Sequence, residues 1–293
     1  MPAAHHHIKI DATDFKSVAR ALTVVENDLS GAAELLKSLV FKKNAPVIGI
    51  TGPPGAGKST LVNDLLTELT AKGNKVAVLA IDPTSPFNFG SLLGDRIRMA
   101  SHFNHPDVFI RSLATRGSLG GLSAKTIEMT DVLRASGFDH IIVETVGVGQ
   151  SEIEIAGLAD ITFVVLVPEG GDEIQSIKSG LMEIADAFIV NKADREGADI
   201  FANNLKKMVQ QKGAETPVFK TIASQNKGIV EIAGFISSAK KQNNRKNLLM
   251  AEKAWKLIRQ KRMADISKAD LQKRIGKAMT EPGFNLYAFI ETM

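Results

Sequence analysis

The sequence predicts an α/β fold, with a mainly parallel central sheet covered on both faces and helical extensions at both ends. Compact apolar runs of strand length are separated by stretches of helical periodicity. The first of these runs leads directly into a glycine-rich turn and then a helix. The pattern at either end of the chain is helical only.

Taken in order, apolar residues recur at helical spacing from Asp14 to Val40 (Phe15, Val18, Ala19, Leu22, Val25, Leu29, then Ala32, Leu35, Leu36, Leu39), with a break at Ser30-Gly31. This defines a helical extension over residues 1–45. Pro46 opens the apolar run Val47 to Thr51, followed by the turn GPPGAGKST and the periodic LVNDLLTEL. Further strands are expected at Val76 to Ile81, Val108 to Ile110, His140 to Glu144, Ile161 to Val167, Ala187 to Val190 and Val218 to Lys220. From about Gly228 the pattern is again helical. The expected division is an extension 1–45, an α/β domain 46–240 and a helical arm 241–293, without internal repeats or low-complexity linkers. Ligands of such a sheet belong at the carboxyl ends of its strands.

Composition excludes several function classes. The chain has 293 residues, 44% hydrophobic and 23% charged, enough for one large domain with a sizeable core. Aromatic residues make up 5%, which argues against a stacking platform for single-stranded nucleic acid. The net charge of +4 is concentrated between Lys240 and Arg262, where it reads as a solvated helix face rather than a nucleic-acid stripe. No apolar run approaches the roughly 20 residues of a membrane span, and MPAAHHHIKI lacks a secretory core, so a cytoplasmic protein is expected. Without cysteine there is no disulfide framework, thiolate zinc site or cysteine nucleophile, and a metal must be held by oxygen or imidazole. His5, His6 and His7 read as a tail and carry no function.

Gly52-Pro53-Pro54-Gly55-Ala56-Gly57-Lys58-Ser59, followed by Thr60, satisfies the P-loop pattern between a strand and a helix. Its glycines let backbone N–H groups turn inward around phosphate oxygens. Lys58 brings positive charge to the β- and γ-phosphates, and Ser59 offers a hydroxyl to Mg²⁺. The fold class is therefore that of a P-loop NTPase.

Asn191-Lys192-Ala193-Asp194 follows the strand Ala187 to Val190. A carboxylate only accepts, and guanine presents two adjacent donors where adenine presents no such pair, so Asp194 selects GTP and GDP. Asn191 can hold loops together and meet the other edge of the purine, while the stem of Lys192 covers the ring. Glu144 ends a buried strand ahead of Thr145-Val146-Gly147, in the position of a Walker B acid and of the glycine that meets the γ-phosphate. Asp82 and Asp95 are further carboxylates near strand ends or in a long loop, each able to reach the metal or simply to form a turn.

These motifs sit among longer runs: Arg20-Ala21-Leu22-Thr23-Val24-Val25-Glu26-Asn27, Asp82-Pro83-Thr84-Ser85-Pro86-Phe87, Gly94-Asp95-Arg96-Ile97-Arg98-Met99, Ile110-Arg111-Ser112-Leu113-Ala114-Thr115-Arg116-Gly117, Glu144 to Glu152 and Gly171-Asp172-Glu173-Ile174-Gln175. In this combination the chain resembles the MeaB/ArgK family of GTPases that accompany adenosylcobalamin-dependent acyl-CoA mutases. The resemblance implies a chaperone and switch for such a mutase, with Asp82 and Asp95 as switch carboxylates around Mg²⁺ and Glu144 in place of the usual Walker B Asp. It also implies that the segment from Pro168 to Lys178 communicates with the mutase, that Thr221, Ile222 and Ala223 complete the guanine site, and that the C-terminal helices form a homodimer. Asn88-Phe89 and Ile222 depart from the family pattern.

Two other readings compete. A nickel-insertion GTPase needs soft or imidazole ligands near its switch, and outside the tail only His102, His105 and His140 are present. A P-loop kinase needs a base for an acceptor hydroxyl and a lid instead of a guanine loop. Neither nucleic acid nor membrane is expected as a partner.

Overall fold

The structure, a computed structural model, describes residues 10–82, 99–114, 124–145, 155–168, 179–211, 215–238, 246–263, 265–280 and 284–293. The chain divides into two compact units, Met1–Leu249 and Met250–Met293.

Among the described residues the first unit is built on seven strands: β1 (Val47–Thr51), β2 (Val76–Asp82), β3 (Val108–Ala114), β4 (His140–Thr145), β5 (Ile161–Leu166), β6 (Ala187–Val190) and β7 (Val218–Lys220). They form one sheet in the order β3-β2-β4-β1-β5-β6-β7, and every pairing is parallel. The helices are α1 (Phe15–Glu26), α2 (Ala32–Lys37), α3 (Lys58–Ala71), α4 (Ala124–Ala135), α5 (Ser179–Ile184), α6 (Ala198–Gln211) and α7 (Ile229–Ser238). The apolar runs are continuous because the central strands are buried on both faces. Along β5 and β6, Phe163, Val165, Ala187 and Ile189 join a cluster with Leu61, Leu65 and Ile232 of α3 and α7. Val164, Leu166, Phe188 and Val190 pack with Phe201 and Leu205 of α6.

The strand expected at Val108 to Ile110 runs on to Ala114. Arg111 and Ser112 interrupt its apolar run, yet β3 keeps step with β2 through the pairs Leu79↔Arg111 and Asp82↔Ala114. The helical extension is packed onto this edge: Phe15 of α1 meets Phe109 of β3 edge-on at 5.6 Å and stacks with Phe138 at 6.1 Å. Asp14 caps α1 by accepting from Lys16 N and Ser17 N.

Three aspartates close the amino edge of the sheet in one repeated geometry. Asp139 donates its N–H to Lys75 O (2.8 Å) and accepts Lys75 N–H on Oδ2 (2.9 Å). Asp160 does the same with Val47 (2.8 and 2.8 Å), and Asp186 with Thr162 (2.9 and 2.7 Å). Each stands immediately before a strand and fixes its register against a neighbour. Lys43 pairs with Asp139 at 2.8 Å, and Arg134 pairs with Asp160.

The second unit holds most of α8 (Lys246–Arg262), then α9 (Lys268–Ala278) and α10 (Leu286–Glu291). Ser267 caps α9 and Asn285 caps α10 through side-chain oxygens. Met250, Trp255, Ile258, Met279, Tyr287 and Ile290 of this unit are exposed. No helix among the described residues is long and apolar enough to cross a membrane.

Candidate functional site: a phosphate loop and its neighbours

Strand β1 lies between β4 and β5, so the loop that follows it opens at the carboxyl edge where the chain order reverses, the usual ligand crevice of such sheets. The loop's path depends on glycine at two points. Gly52 has φ +136°, and a Cβ there would lie 2.0 Å from Val165 O. Gly57 has φ +84°, and its Cβ would lie 2.4 Å from Asn191 Nδ2. The chain crosses these positions only without a side chain.

Lys58 and Ser59 open α3 and are buried. Lys58 Nζ donates to Gly52 O (2.8 Å) and Pro53 O (2.9 Å), so the ammonium is held inside the loop by the loop's own carbonyls. Ser59 Oγ donates to Glu144 Oε1 at 2.7 Å, with both residues 4% exposed. Glu144 reaches this point because β4 sits beside β1, in the row Ala80↔Glu144↔Ile50. At the ends of β4 and β1, Thr145 Oγ1 donates to Thr51 Oγ1 at 2.9 Å, a buried hydroxyl contact with no signature in the local sequence.

Asn191 is 2% exposed and ties three loops together. Its Nδ2 donates to Ala56 O of the phosphate loop at 2.9 Å. Its Oδ1 accepts from Thr221 Oγ1 (3.0 Å) and Ala223 N (3.2 Å). Both ends of the amide are thus engaged within the protein, and of the two roles expected for it, loop-holding is the one its contacts perform. Ala193 N donates to Thr221 O, and Ile222 N donates to Lys227 O. Lys192 takes φ +54°, and Asp194, two residues on, is exposed. Gly52 to Thr60, Glu144, Asn191 to Asp194 and Thr221 to Ala223 are therefore brought together.

Asp82 closes β2 in register with Ala114. Its side chain, and Asp95, Gly147 and residues 169–178, lie outside the described residues, as does the His5 to His7 tract.

A buried histidine stands against α3. His102, 6% exposed, places Nε2 at 3.0 Å from Asn63 O and 3.3 Å from Thr67 Oγ1. Burial holds its pKa below the ordinary imidazole value, and the carboxylate of Asp64 opposes this only in part.

The chain compares closely with known proteins over this same region. The family model described as methylmalonyl Co-A mutase-associated GTPase MeaB matches residues 18–280. A Pyrococcus horikoshii protein named for an inferred GTPase activity is 51% identical over 236 residues, 78% of this chain and 74% of that one. The Escherichia coli GTPase ArgK is 42% identical over 183 residues, 61% of this chain and 55% of its own length. A crystal structure described as LAO/AO transport system kinase superposes with a TM-score of 0.68 at 26% identity, covering 92% of this chain and 87% of that one. With a phosphate loop, a guanine-type loop stitched to it and a family match over most of its length, this chain belongs to the MeaB/ArgK family of P-loop GTPases.

Proposed function

We propose that the chain hydrolyses GTP in a Mg²⁺-dependent reaction, and that its nucleotide state acts as a switch on an adenosylcobalamin-dependent acyl-CoA mutase of the methylmalonyl-CoA type, gating cofactor loading and protection. The observation that carries the chemical half is the buried 2.7 Å contact between Ser59 Oγ and Glu144 Oε1 at the first turn of α3. A hydroxyl and a carboxylate meeting there form a hard oxygen donor set, which fits a small divalent cation that keeps several of its waters. Ser59 and Glu144 would hold the ion, with Asp82 and Asp95 as the further carboxylates of the proposal. When bound, Mg²⁺ would supply charge neutralisation for the nucleotide's phosphates.

The chain's own groups do the rest. Lys58, now on the carbonyls of Gly52 and Pro53, turns to the phosphates when nucleotide enters and stabilises the charge that develops during transfer. Gly147 is assigned to the γ-phosphate. Asp194 accepts the two guanine donors, and Asn191 keeps the base loop at a fixed distance from the phosphate loop through Ala56. Thr221, Ile222 and Ala223 line the base. The same loop favours GTP hydrolysis over the kinase activity named for the structural relative.

The partner half rests on the family's description and on the segment from Pro168 to Lys178, which is assigned as the surface the mutase reads. Its test is the GTPase rate with and without purified methylmalonyl-CoA mutase, for wild type and for Asp172→Ala combined with Lys178→Ala. The wild type is expected to be stimulated and the double variant not, with GTP affinity retained; equal stimulation would remove the switch role. The exposed Trp255, Tyr287 and Ile290 support a homodimer formed by the arm 241–293, which sedimentation of the full chain tests directly.

A further inference from the structure

Two of the runs singled out in the sequence, one ending in Glu26-Asn27 and one containing Arg111, acquire no role from nucleotide binding, yet the fold brings them together. Arg111 Nη2 donates to Glu26 Oε2 at 2.5 Å, with the side chains 27% and 11% exposed. Two residues beyond the end of α1, Asp28 accepts from Lys125 Nζ at 2.5 Å, and Lys125 also pairs with Glu128 at 2.8 Å. Burial lowers the affinity of Lys125 for its proton, but the two carboxylates outweigh it and hold the ammonium above its ordinary pKa. Asp28 sits at φ +49° in the turn that leaves α1.

The geometry points to a positioning role in GTP hydrolysis for Glu26 of the N-terminal helix, through its ion pair with Arg111 on the edge strand. Among the described residues, β3 pairs with β2 alone. The residue after Arg111 begins a row that crosses the sheet to the reacting centre: Ser112↔Ala80↔Glu144↔Ile50. Phe109 and Arg111, two apart on a strand, face α1 together, while Glu144 turns to Ser59 of α3. Glu26 therefore fixes Arg111, the strand neighbour of Ser112, at the outer end of the row in which Glu144 stands. With Asp28 it also ties the end of α1 to Arg111 in the middle of β3 and to Lys125 near the start of α4. A shift of well under an ångström in Glu144 alters transfer geometry without abolishing nucleotide binding, which is spread over the loop backbone.

The inference rests on the placement of hydrolysis at the Ser59–Glu144 pair. The experiment measures kcat for GTP and Kd for GDP on the full chain well below its melting temperature, for Glu26→Gln, for Arg111→Glu, for Glu26→Arg combined with Arg111→Glu, and for Glu144→Ala. Glu26→Gln is expected to lower kcat about tenfold with Kd for GDP within twofold, and the charge swap to recover most of the loss relative to Arg111→Glu alone. Asp28→Ala, at a 70% exposed site, is expected to stay folded and to lower kcat by about threefold. Lys43→Ala breaks an ion pair of the same kind at the amino edge and is expected to leave kcat unchanged. If Glu144→Ala is impaired while Glu26→Gln and Asp28→Ala turn over like wild type, or if the swap does not recover activity, the positioning role is wrong. If Glu144→Ala itself turns over like wild type across a Mg²⁺ series, the placement of the chemistry falls and the inference with it.

Discussion

At the amino edge of the sheet, Asp139, Asp160 and Asp186 each precede a strand and bond to the backbone of a neighbour. At the carboxyl edge, Glu144, next to last in β4, accepts instead from a serine hydroxyl, and Asp194 stands exposed beyond β6. The residue chemistry is the same on the two edges; what the carboxylates face is not. In a parallel sheet the amino edge presents strand N–H groups that need acceptors, so acids there are used up in holding register. The carboxyl edge presents carbonyls and loop openings, which leave an acid available to a cation or to a base with donors to offer. Substitutions at one edge should therefore cost rate or specificity, and at the other stability.

The largest effect belongs to Lys58. Lys58→Ala removes the cation held inside the loop and is expected to lower single-turnover GTP hydrolysis by roughly 10³-fold or more while the protein stays folded by circular dichroism. Retained turnover in a folded variant would place the chemistry elsewhere. Next is Asp194→Asn, which sets an amine against two guanine donors and matches the acceptor of xanthine instead. A shift of roughly 10²-fold in preference from GTP toward xanthosine triphosphate is expected, read by competition titration. An unchanged preference would take Asp194 out of base reading.

At the opposite edge, Asp160→Ala leaves the N–H of fully buried Val47 without its acceptor. A loss of roughly 2 kcal/mol in urea unfolding is expected, with kcat per folded molecule within about twofold of wild type. The separation of the two edges breaks if Asp160→Ala slows hydrolysis tenfold in a fully folded sample.

The parts of this arrangement that the sequence disclosed are those whose chemistry demands neighbouring residues. The phosphate loop is legible because its glycines, lysine and serine act within one turn, and β1, β5 and β6 because burial on both faces makes them continuous apolar runs. What stayed hidden depends on distance along the chain. Arg111 looks like the end of a strand until Glu26, 85 residues earlier, is seen to receive it. The Asn191 amide had a visible place in the base loop, but its bond to Ala56, 135 residues away, did not. The aspartate brackets left a faint local signal, an acid directly before each of β4, β5 and β6. That signal is indistinguishable from an ordinary turn residue until the neighbouring N–H is located.

The smallest effect sharpens the comparison through pH. His140 opens β4 at the amino edge beside Asp139, and burial lowers its pKa, a tendency the Asp139 carboxylate opposes without overcoming. His102, against α3, is lowered for the same first reason, with Asn63 O and Asp64 opposing and His105 reinforcing the shift. Both histidines take up a proton more readily unfolded than folded. Their contribution to stability is therefore complete above the ordinary imidazole value of 6.5 and is lost as pH falls from there through the folded values. Asp139 has the same sign but acts lower. Its burial raises the carboxyl, Lys43 and Lys75 N–H outweigh this, and the stability it lends disappears as pH falls below the ordinary 3.8. Asp64, raised chiefly by burial, acts in the opposite sense near the carboxylate range, where its contribution fades as pH rises. Urea unfolding across the imidazole range should thus show stability declining toward acid, and His140→Gln combined with His102→Gln should flatten that decline. Since neither histidine meets the Ser59–Glu144 pair, kcat per folded molecule should follow the same pH course in the double variant as in wild type. An unchanged stability slope in that variant would assign the acid sensitivity to other groups, and an altered kcat profile would carry the influence of His102 along α3 into the site.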